Sequence, residues 1–172
     1  MAVTLISHTE VGSGGTSRIE FQSIPATYDD LWLLLSFRCS NATVERDVLI
    51  TYNNDTATNY SKVQVRGSGG GTDSSRTIST SGSRFEAVSA SLNTANTFSS
   101  ISMYIPNYKN TSYFKQTIIE HVKETSAITG EYMFLQANLW RSTSAISEID
   151  FFPSGGNFVE YSTATLYGIT KA

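Results

Sequence analysis

Charged residues are scarce in this chain of 172 residues. Asp, Glu, Lys and Arg make up 16% of it, against about 25% in an average soluble domain, and the net charge is −3. Proteins that bind DNA or RNA carry clusters of Lys and Arg that displace counterions, and anionic membranes select similar clusters. The composition therefore argues against a nucleic-acid partner and against a membrane partner.

Long apolar runs and paired cysteines are also missing. No run approaches the roughly 18 apolar residues of a membrane span, and the N-terminal MAVTLISHTE has neither the basic nor the apolar region of a secretion signal. Cys39 is the one cysteine, which excludes an intrachain disulfide and a zinc site made of several thiolates. We interpret Cys39 as a small buried residue on a strand.

Motifs for nucleophilic catalysis and phosphate binding are absent as well. Neither G-x-S-x-G nor G-x-x-x-x-G-K-[ST] occurs, and the GSGGG that begins at Gly67 lacks the following Lys. The histidines are His8, near a terminus, and His121, beside Glu120. On a strand, neighbouring side chains point to opposite faces, so Glu120 would point away from His121. We predict no catalytic histidine.

Carboxylates offer one pair with suggestive spacing. Glu148 and Asp150 are two residues apart and would share one face of a strand, as a glycoside hydrolase would need. Isolated acidic pairs are common on solvated strands, and no second group of carboxylates marks a cleft. Asn53, Asp55 and Asn59 form a poor ligand set for Ca²⁺ and are better interpreted as a turn. We therefore predict no enzyme, no catalytic residue, no cofactor and no metal site.

Short β-type runs separated by Gly, Asn, Asp, Ser and Pro make up most of the chain, without apolar periodicity of helical length. This pattern predicts one all-β domain, an antiparallel two-sheet sandwich of jelly-roll type, over residues 16–172, preceded by an N-terminal strand or arm at 1–15. The region 66–84 is rich in Gly and Ser and is predicted to be a long exposed loop. The predicted strands are 2–7, 17–24, 31–39, 47–52, 60–66, 84–89, 98–106, 113–122, 131–141, 145–152 and 160–170.

The clearest alternation lies in 131–141. One face carries Met133, Leu135, Ala137 and Leu139, which we interpret as core. The other face mixes aromatic residues with amides, as expected of a partly covered contact surface. Its aromatic members are the candidate interface residues, Tyr132, Phe134 and Trp140.

Four segments resemble a family of tailed-bacteriophage virion proteins: FQSIPATYDDLWLL, ITYNNDTATNYS, MYIPNY and NFVEYSTATLYGITK. The resemblance extends from Leu5 to Lys171. It implies a structural role on the particle, as a head decoration (cement) protein or a tail-surface component, and it implies no active site.

We therefore expect a capsid decoration protein that forms a homo-oligomer such as a homotrimer and binds the major capsid protein of a tailed phage. It would be located in the virion, after assembly in the cytoplasm of the bacterial host. Residues 1–15 would add a strand to a neighbour or lie against the capsid. The alternatives are a host-recognition or glycan-binding module on a tail fibre and, from another class, a hydrolase that would use Glu148 or Asp150.

Overall fold

A computed structural model describes residues 1–126 and 130–171, which form twelve β-strands. The predicted all-β fold is confirmed. Within this part of the chain, no helix is long and apolar enough to cross a membrane. The strands are β1 (Ala2–Glu10), β2 (Ile19–Phe21), β3 (Asp30–Phe37), β4 (Glu45–Tyr52), β5 (Tyr60–Ser68), β6 (Gly71–Thr80), β7 (Ser83–Ser89), β8 (Ser99–Ile105), β9 (Lys115–Lys123), β10 (Tyr132–Trp140), β11 (Ile149–Pro153) and β12 (Thr163–Thr170).

The strands form two antiparallel sheets. The large sheet has the order β1-β12-β3-β8-β9-β10-β5-β6, and the small sheet has the order β2-β11-β4-β7. The first four strands alternate between the two sheets, as do β11 and β12 at the other end of the chain. The predicted antiparallel sandwich of jelly-roll type is confirmed.

Aromatic rings fill the space between the sheets. The run LWLLLSF in β3 alternates, so that Leu31, Leu33, Leu35 and Phe37 point inward. The ring of Phe37 lies 4.6 Å from that of Phe158 and 5.7 Å from that of Phe151, measured between centroids. These rings belong to one buried apolar cluster to which both sheets contribute.

The region 66–84 is not the long loop that its composition predicts. β5 continues to Ser68, β6 begins at Gly71, and Gly69 and Gly70 connect them as a two-residue hairpin turn. β6 is the outermost strand of the large sheet, and most of its side chains are exposed. An edge strand of this kind is held by backbone hydrogen bonds to its neighbour, so Ser and Thr suffice and no apolar pattern is needed.

The N-terminal segment is likewise docked on its own chain. The predicted strand is present as β1, which pairs with β12 from Ala2↔Thr170 to Glu10↔Thr163. The glycines that follow β1 make a defined turn, with φ of 95° at Gly14 and 73° at Gly15. In this structure the segment is therefore an edge strand of the large sheet and not a free arm.

His121 lies on the inner face of β9 and is fully buried. Its ring stacks on that of Phe134 at 5.1 Å, with 13° between the planes. Among the described residues, neither ring nitrogen has a hydrogen-bond partner. Burial, together with the nearby positive charge of Lys123, lowers the pKa of His121 from 6.5 to about 3. The imidazole is thus neutral at pH 7 and packs inside the sandwich, as an ordinary strand histidine would.

This burial predicts that acid destabilises the fold between pH 6.5 and 3. In that range the unfolded chain binds a proton at His121 and the native state does not, so stability falls as the pH is lowered. Between pH 7 and pH 5 the loss due to His121 is about 2 kcal/mol. Urea unfolding at both pH values measures this loss. Between pH 7 and pH 5, His121→Phe should lose about 2 kcal/mol less stability than the unmodified protein.

His8→Gln is the matched control, because His8 is on the exposed edge strand β1. It should retain the acid sensitivity of the unmodified protein. If His121→Phe loses as much stability between pH 7 and pH 5 as the unmodified protein does, His121 is not the source of the acid sensitivity.

Candidate functional site

The two faces of β10 are the reverse of those predicted. Phe134 and Trp140 are only 1% and 2% exposed and lie inside the sandwich, so the prediction that they form a surface contact is corrected. Met133 and Leu135, which we predicted to be core, are 66% and 49% exposed. Tyr132 is partly buried at the end of the strand, with the cations of Arg66 and Lys123 4.9 Å and 4.8 Å from its ring centroid.

Trp140 has an internal role. Its ring packs on those of Tyr52 and Tyr60, with centroids 5.4 Å and 6.4 Å away. Its Nε1 donates a hydrogen bond of 2.7 Å to Asp55. The same carboxylate accepts bonds from Asn59 Nδ2 and from the backbone N–H of residue 57, both at 2.9 Å. These bonds within the 53–59 segment confirm the interpretation of a turn.

Polar side chains occupy the inner face of β5, β9 and β10 where the edge strand β7 passes over them. Lys62 donates hydrogen bonds to Glu86 and to Gln64, and Gln64 donates one of 2.6 Å to Glu86. Gln136 donates to Gln64 at 2.7 Å. Burial lowers the pKa of Lys62, and Glu86 opposes that shift. Amides and an ammonium group can face inward here because a carboxylate from β7 meets them.

The outer side of the same three strands is apolar. Within β5, β9 and β10, all of which the structure describes, Glu120 is the charged side chain that alternates onto this side. A shallow groove runs between the strands and is lined in part by Val63, Ile118 and Leu135, each about half exposed. We call this surface the aliphatic face; it consists of Val63, Val65, Ile118, Val122, Met133, Leu135, Ala137 and Leu139.

The aliphatic face continues across the large sheet as a row of residues in direct cross-strand register. The row crosses seven interstrand spacings of about 4.8 Å and is thus about 34 Å long. We call it the outer row. From β1 to β6 it consists of Leu5, Tyr167, Trp32, Tyr104, Ile118, Ala137, Val63 and Arg76.

The aromatic part of the outer row is fixed by hydrogen bonds. The rings of Trp32 and Tyr167 lie 6.0 Å apart, and Trp32 Nε1 donates a bond of 3.0 Å to Ser102. Tyr104 donates its hydroxyl proton to buried Asp30 at 2.5 Å, and this bond together with burial raises the pKa of Tyr104 to about 12. Trp32, Tyr104 and Tyr167 are each partly exposed on this side of the sheet.

Glu148 and Asp150, the pair considered for glycoside hydrolysis, do come together. With Glu20 they place carboxylate oxygens within 4.8 Å of one another on the outer side of the small sheet. Arg18 lies among them, with bonds of 2.5 Å to Asp150, 3.0 Å to Glu20 and 3.3 Å to Glu148. Burial raises the pKa of Asp150, and Arg18 opposes that shift. The cluster is an ion network that joins strands of the small sheet.

The other residues singled out in the sequence lie apart from this cluster. His8 Nδ1 is 2.8 Å from the hydroxyl of Thr165 on the outer side of the large sheet. Cys39 is fully buried, as predicted, in an isolated β-bridge with Phe158 just after β3. Burial raises the pKa of its thiol to about 12.

No protein-family model matches the chain, and no curated protein sequence matches it. Among solved structures it is similar to galectin LEC-6 of Caenorhabditis elegans, at 12% identity and a TM-score of 0.38, over 92% of this chain and 94% of the galectin. It is also similar to the carbohydrate-binding module CBM66 from Bacillus subtilis, at 7% identity and a TM-score of 0.25, over 93% and 95% of the two chains.

A fructofuranosidase from Schwanniomyces occidentalis is similar at 8% identity and a TM-score of 0.33, over 99% of this chain. The chain spans about a third of that enzyme's length, since the match covers 34% of it. These TM-scores are too low to carry an argument about function.

The ion network predicts that Arg18 is needed to keep the buried carboxylate of Asp150 charged. Arg18→Met should lower the free energy of unfolding at pH 7 by about 2 kcal/mol, less than for a fully buried pair because the guanidinium is partly solvated. Urea unfolding measures this change. Adding Asp150→Asn to the variant should recover most of the loss, because it removes the unpaired charge.

Arg66→Met serves as the control, since Arg66 pairs with Asp73 where both side chains are solvated, 35% and 52% exposed. Its effect should stay below about 1 kcal/mol, from the solvated ion pair and the contact with the ring of Tyr132. Full stability in Arg18→Met, or no recovery from Asp150→Asn, would contradict the role given to Arg18.

Proposed function

We propose that this chain is a non-catalytic structural protein of a tailed-phage particle, a decoration protein of the head that works through contact area. The observation that carries the proposal is the aliphatic face: aliphatic side chains that are about half exposed on three adjacent strands, next to a row of aromatic rings. Contiguous apolar surface of this kind on a soluble domain marks an interaction site more often than chance exposure does. The resemblance to tailed-phage virion proteins supports the same role.

The two outer surfaces of the sandwich differ in a way that suits a decoration protein. The outer side of the large sheet is apolar over β5, β9 and β10, whereas the small sheet exposes charged groups such as Arg18, Glu20 and Arg84. A coat accessory needs one surface for its neighbours and another for solvent. On this proposal the partners are further copies of this chain and the major capsid protein, and the protein resides in the virion after assembly in the bacterial cytoplasm.

The stabilisation of the particle would follow from mass action. A protein that binds the assembled shell and not its dissociated subunits shifts the equilibrium toward the shell. Burial of apolar surface supplies about 25 cal/mol per Å², and low charge limits repulsion between closely spaced copies.

Immunogold labelling of purified particles of the phage that encodes this chain tests the proposal. We expect label over the head at many copies per particle, and cryo-electron microscopy should then show extra density on the outside of the shell. Particles that contain none of this chain would overturn the proposal. Label confined to the tail would favour the second candidate.

The second candidate is a glycan-binding module on the tail, and the aromatic part of the outer row favours it. Trp32 and Tyr167 form a partly exposed aromatic pair with Ser102 beside it, and aromatic rings stack on the apolar faces of sugars. Titration with host surface polysaccharide would then change the fluorescence of Trp32. The change should be lost in Trp32→Phe and kept in Trp140→Phe, because Trp140 is buried.

A further inference from the structure

The amine of Lys62 lies against a side-chain amide and a carboxylate inside the sandwich, in an arrangement suited to a covalent reaction. We infer that the chain forms an isopeptide bond between Lys62 Nζ and Gln64 Cδ, with release of ammonia and with Glu86 as the proton carrier. The inference goes beyond the proposed function and does not depend on it, because it concerns the covalent structure of the chain itself.

The nucleophile and the amide that it would attack belong to one strand. Lys62 and Gln64 are two residues apart on β5, so their side chains share one face of the strand, with Cα atoms about 7 Å apart. That face is the inner one, and each residue is only 5% exposed. Lys62 Nζ donates a hydrogen bond of 3.0 Å to Gln64 Oε1. The amine is thus already held against the carboxamide.

The carboxylate of Glu86 contacts both of the nitrogen atoms that take part in the reaction. Its Oε1 accepts a hydrogen bond from Lys62 Nζ, and its Oε2 accepts one of 2.6 Å from Gln64 Nε2. A base in this position can remove protons from the attacking nitrogen and deliver them to the leaving nitrogen. The side chain of Glu86 is 31% exposed, so ammonia released beside it can reach solvent.

The carbonyl oxygen of Gln64 is placed to carry the negative charge that develops during the attack. It accepts hydrogen bonds from Lys62 Nζ and, at 2.7 Å, from Nε2 of Gln136. Gln136 is 1% exposed. A donor that is fixed in a site with little water stabilises such a charge more strongly than a donor in solution does. Gln136 is therefore the residue that stabilises the tetrahedral intermediate.

The atoms, electrons and protons of the reaction balance without a further reactant. The lone pair of Lys62 Nζ forms the bond to Gln64 Cδ, and the electron pair of the Cδ–Nε2 bond leaves with Nε2. Of the three protons on the lysine ammonium group, one stays on the new amide nitrogen. The other two pass through Glu86 to the departing nitrogen, which leaves as ammonium. Glu86 ends as the carboxylate that it was at the start.

The ion pair is the resting form of the site, and the reaction proceeds from its minor neutral form. Burial lowers the pKa of Lys62, which increases the fraction of neutral amine. Burial raises the pKa of Glu86, but its bonds from Lys62 and Gln64 outweigh that effect and lower it. Well-oriented groups in one molecule react with an effective molarity of about 10⁵–10⁸ M. A slow reaction suffices, because it has to occur only once in each chain.

Mass spectrometry of the purified full-length chain after digestion with trypsin tests the inference. Trypsin does not cleave after a lysine whose Nζ is acylated. We therefore expect the peptide 47–66 to remain uncut at Lys62 and to be about 17 Da lighter than its sequence, by the mass of the ammonia lost. Lys62→Met removes the nucleophile and Glu86→Gln removes the proton carrier. Each variant should show the full mass of its own sequence over 47–66.

Lys123→Met is the matched control. Lys123 is a second buried lysine, 1% exposed, and its Nζ donates a bond of 2.5 Å to the carboxylate of Glu45. Within residues 1–126 and 130–171, it has no hydrogen bond to a side-chain amide. Lys123→Met should therefore keep the mass deficit of the peptide 47–66 and the block to cleavage at Lys62.

The unmodified chain decides whether the bond forms, whatever the variants do to folding. Full cleavage at Lys62, with both products at the mass of their sequences, would overturn the inference. So would a deficit of about 17 Da that persists in Lys62→Met, since cyclisation of an asparagine to a succinimide also releases ammonia but leaves Lys62 free. A deficit that persists in Glu86→Gln would contradict the role of Glu86.

Discussion

The unequal width of the two sheets is the constraint on which the rest of this structure depends. Eight strands extend across about 34 Å and four strands across about 14 Å, given interstrand spacings of about 4.8 Å. The small sheet can therefore cover only part of the large one. Near its edge strand β7, ammonium and amide groups reach Glu45 and Glu86 from inside the sandwich. The aliphatic side chains of the same strands are left on the outside.

The strands themselves could be predicted from the sequence, because alternation and turn residues are local signals. Alternation also showed which residues of β10 share a face. It could not show which face is inside, since both faces carry large apolar side chains and Met133 and Leu135 are the more aliphatic set. The inward face is determined by two carboxylates that are distant from β10 in sequence, Glu45 on β4 and Glu86 on β7. A signal was present in β5, where Lys62 and Gln64 alternate in phase with Tyr60, but lysine normally points to solvent.

The composition of 66–84 led to a wrong prediction, because an edge strand can form without burying apolar side chains. The Ser and Gly residues of 66–84 look like a loop because they cannot pack, yet an edge strand packs little and is held by its backbone. The consecutive glycines Gly69 and Gly70 are typical of a hairpin turn, but the polar residues on both sides of them hid this signal. The carboxylate pair was correctly placed on one face, but the position of Arg18 among the acids could not be read from spacing. A β-sandwich can serve many functions, so the choice between them rests on the residues at its surfaces.

The burial of Cys39 has a practical consequence for experiments on this protein. A thiol reacts as its thiolate, and a fully buried sulfur whose pKa is raised to about 12 supplies almost none at neutral pH. Since Cys39 is the one cysteine in the chain, the native protein should not react with maleimide dyes. A cysteine introduced at the tip of the β5–β6 hairpin would then carry a single fluorophore or gold cluster, with no native thiol to remove first.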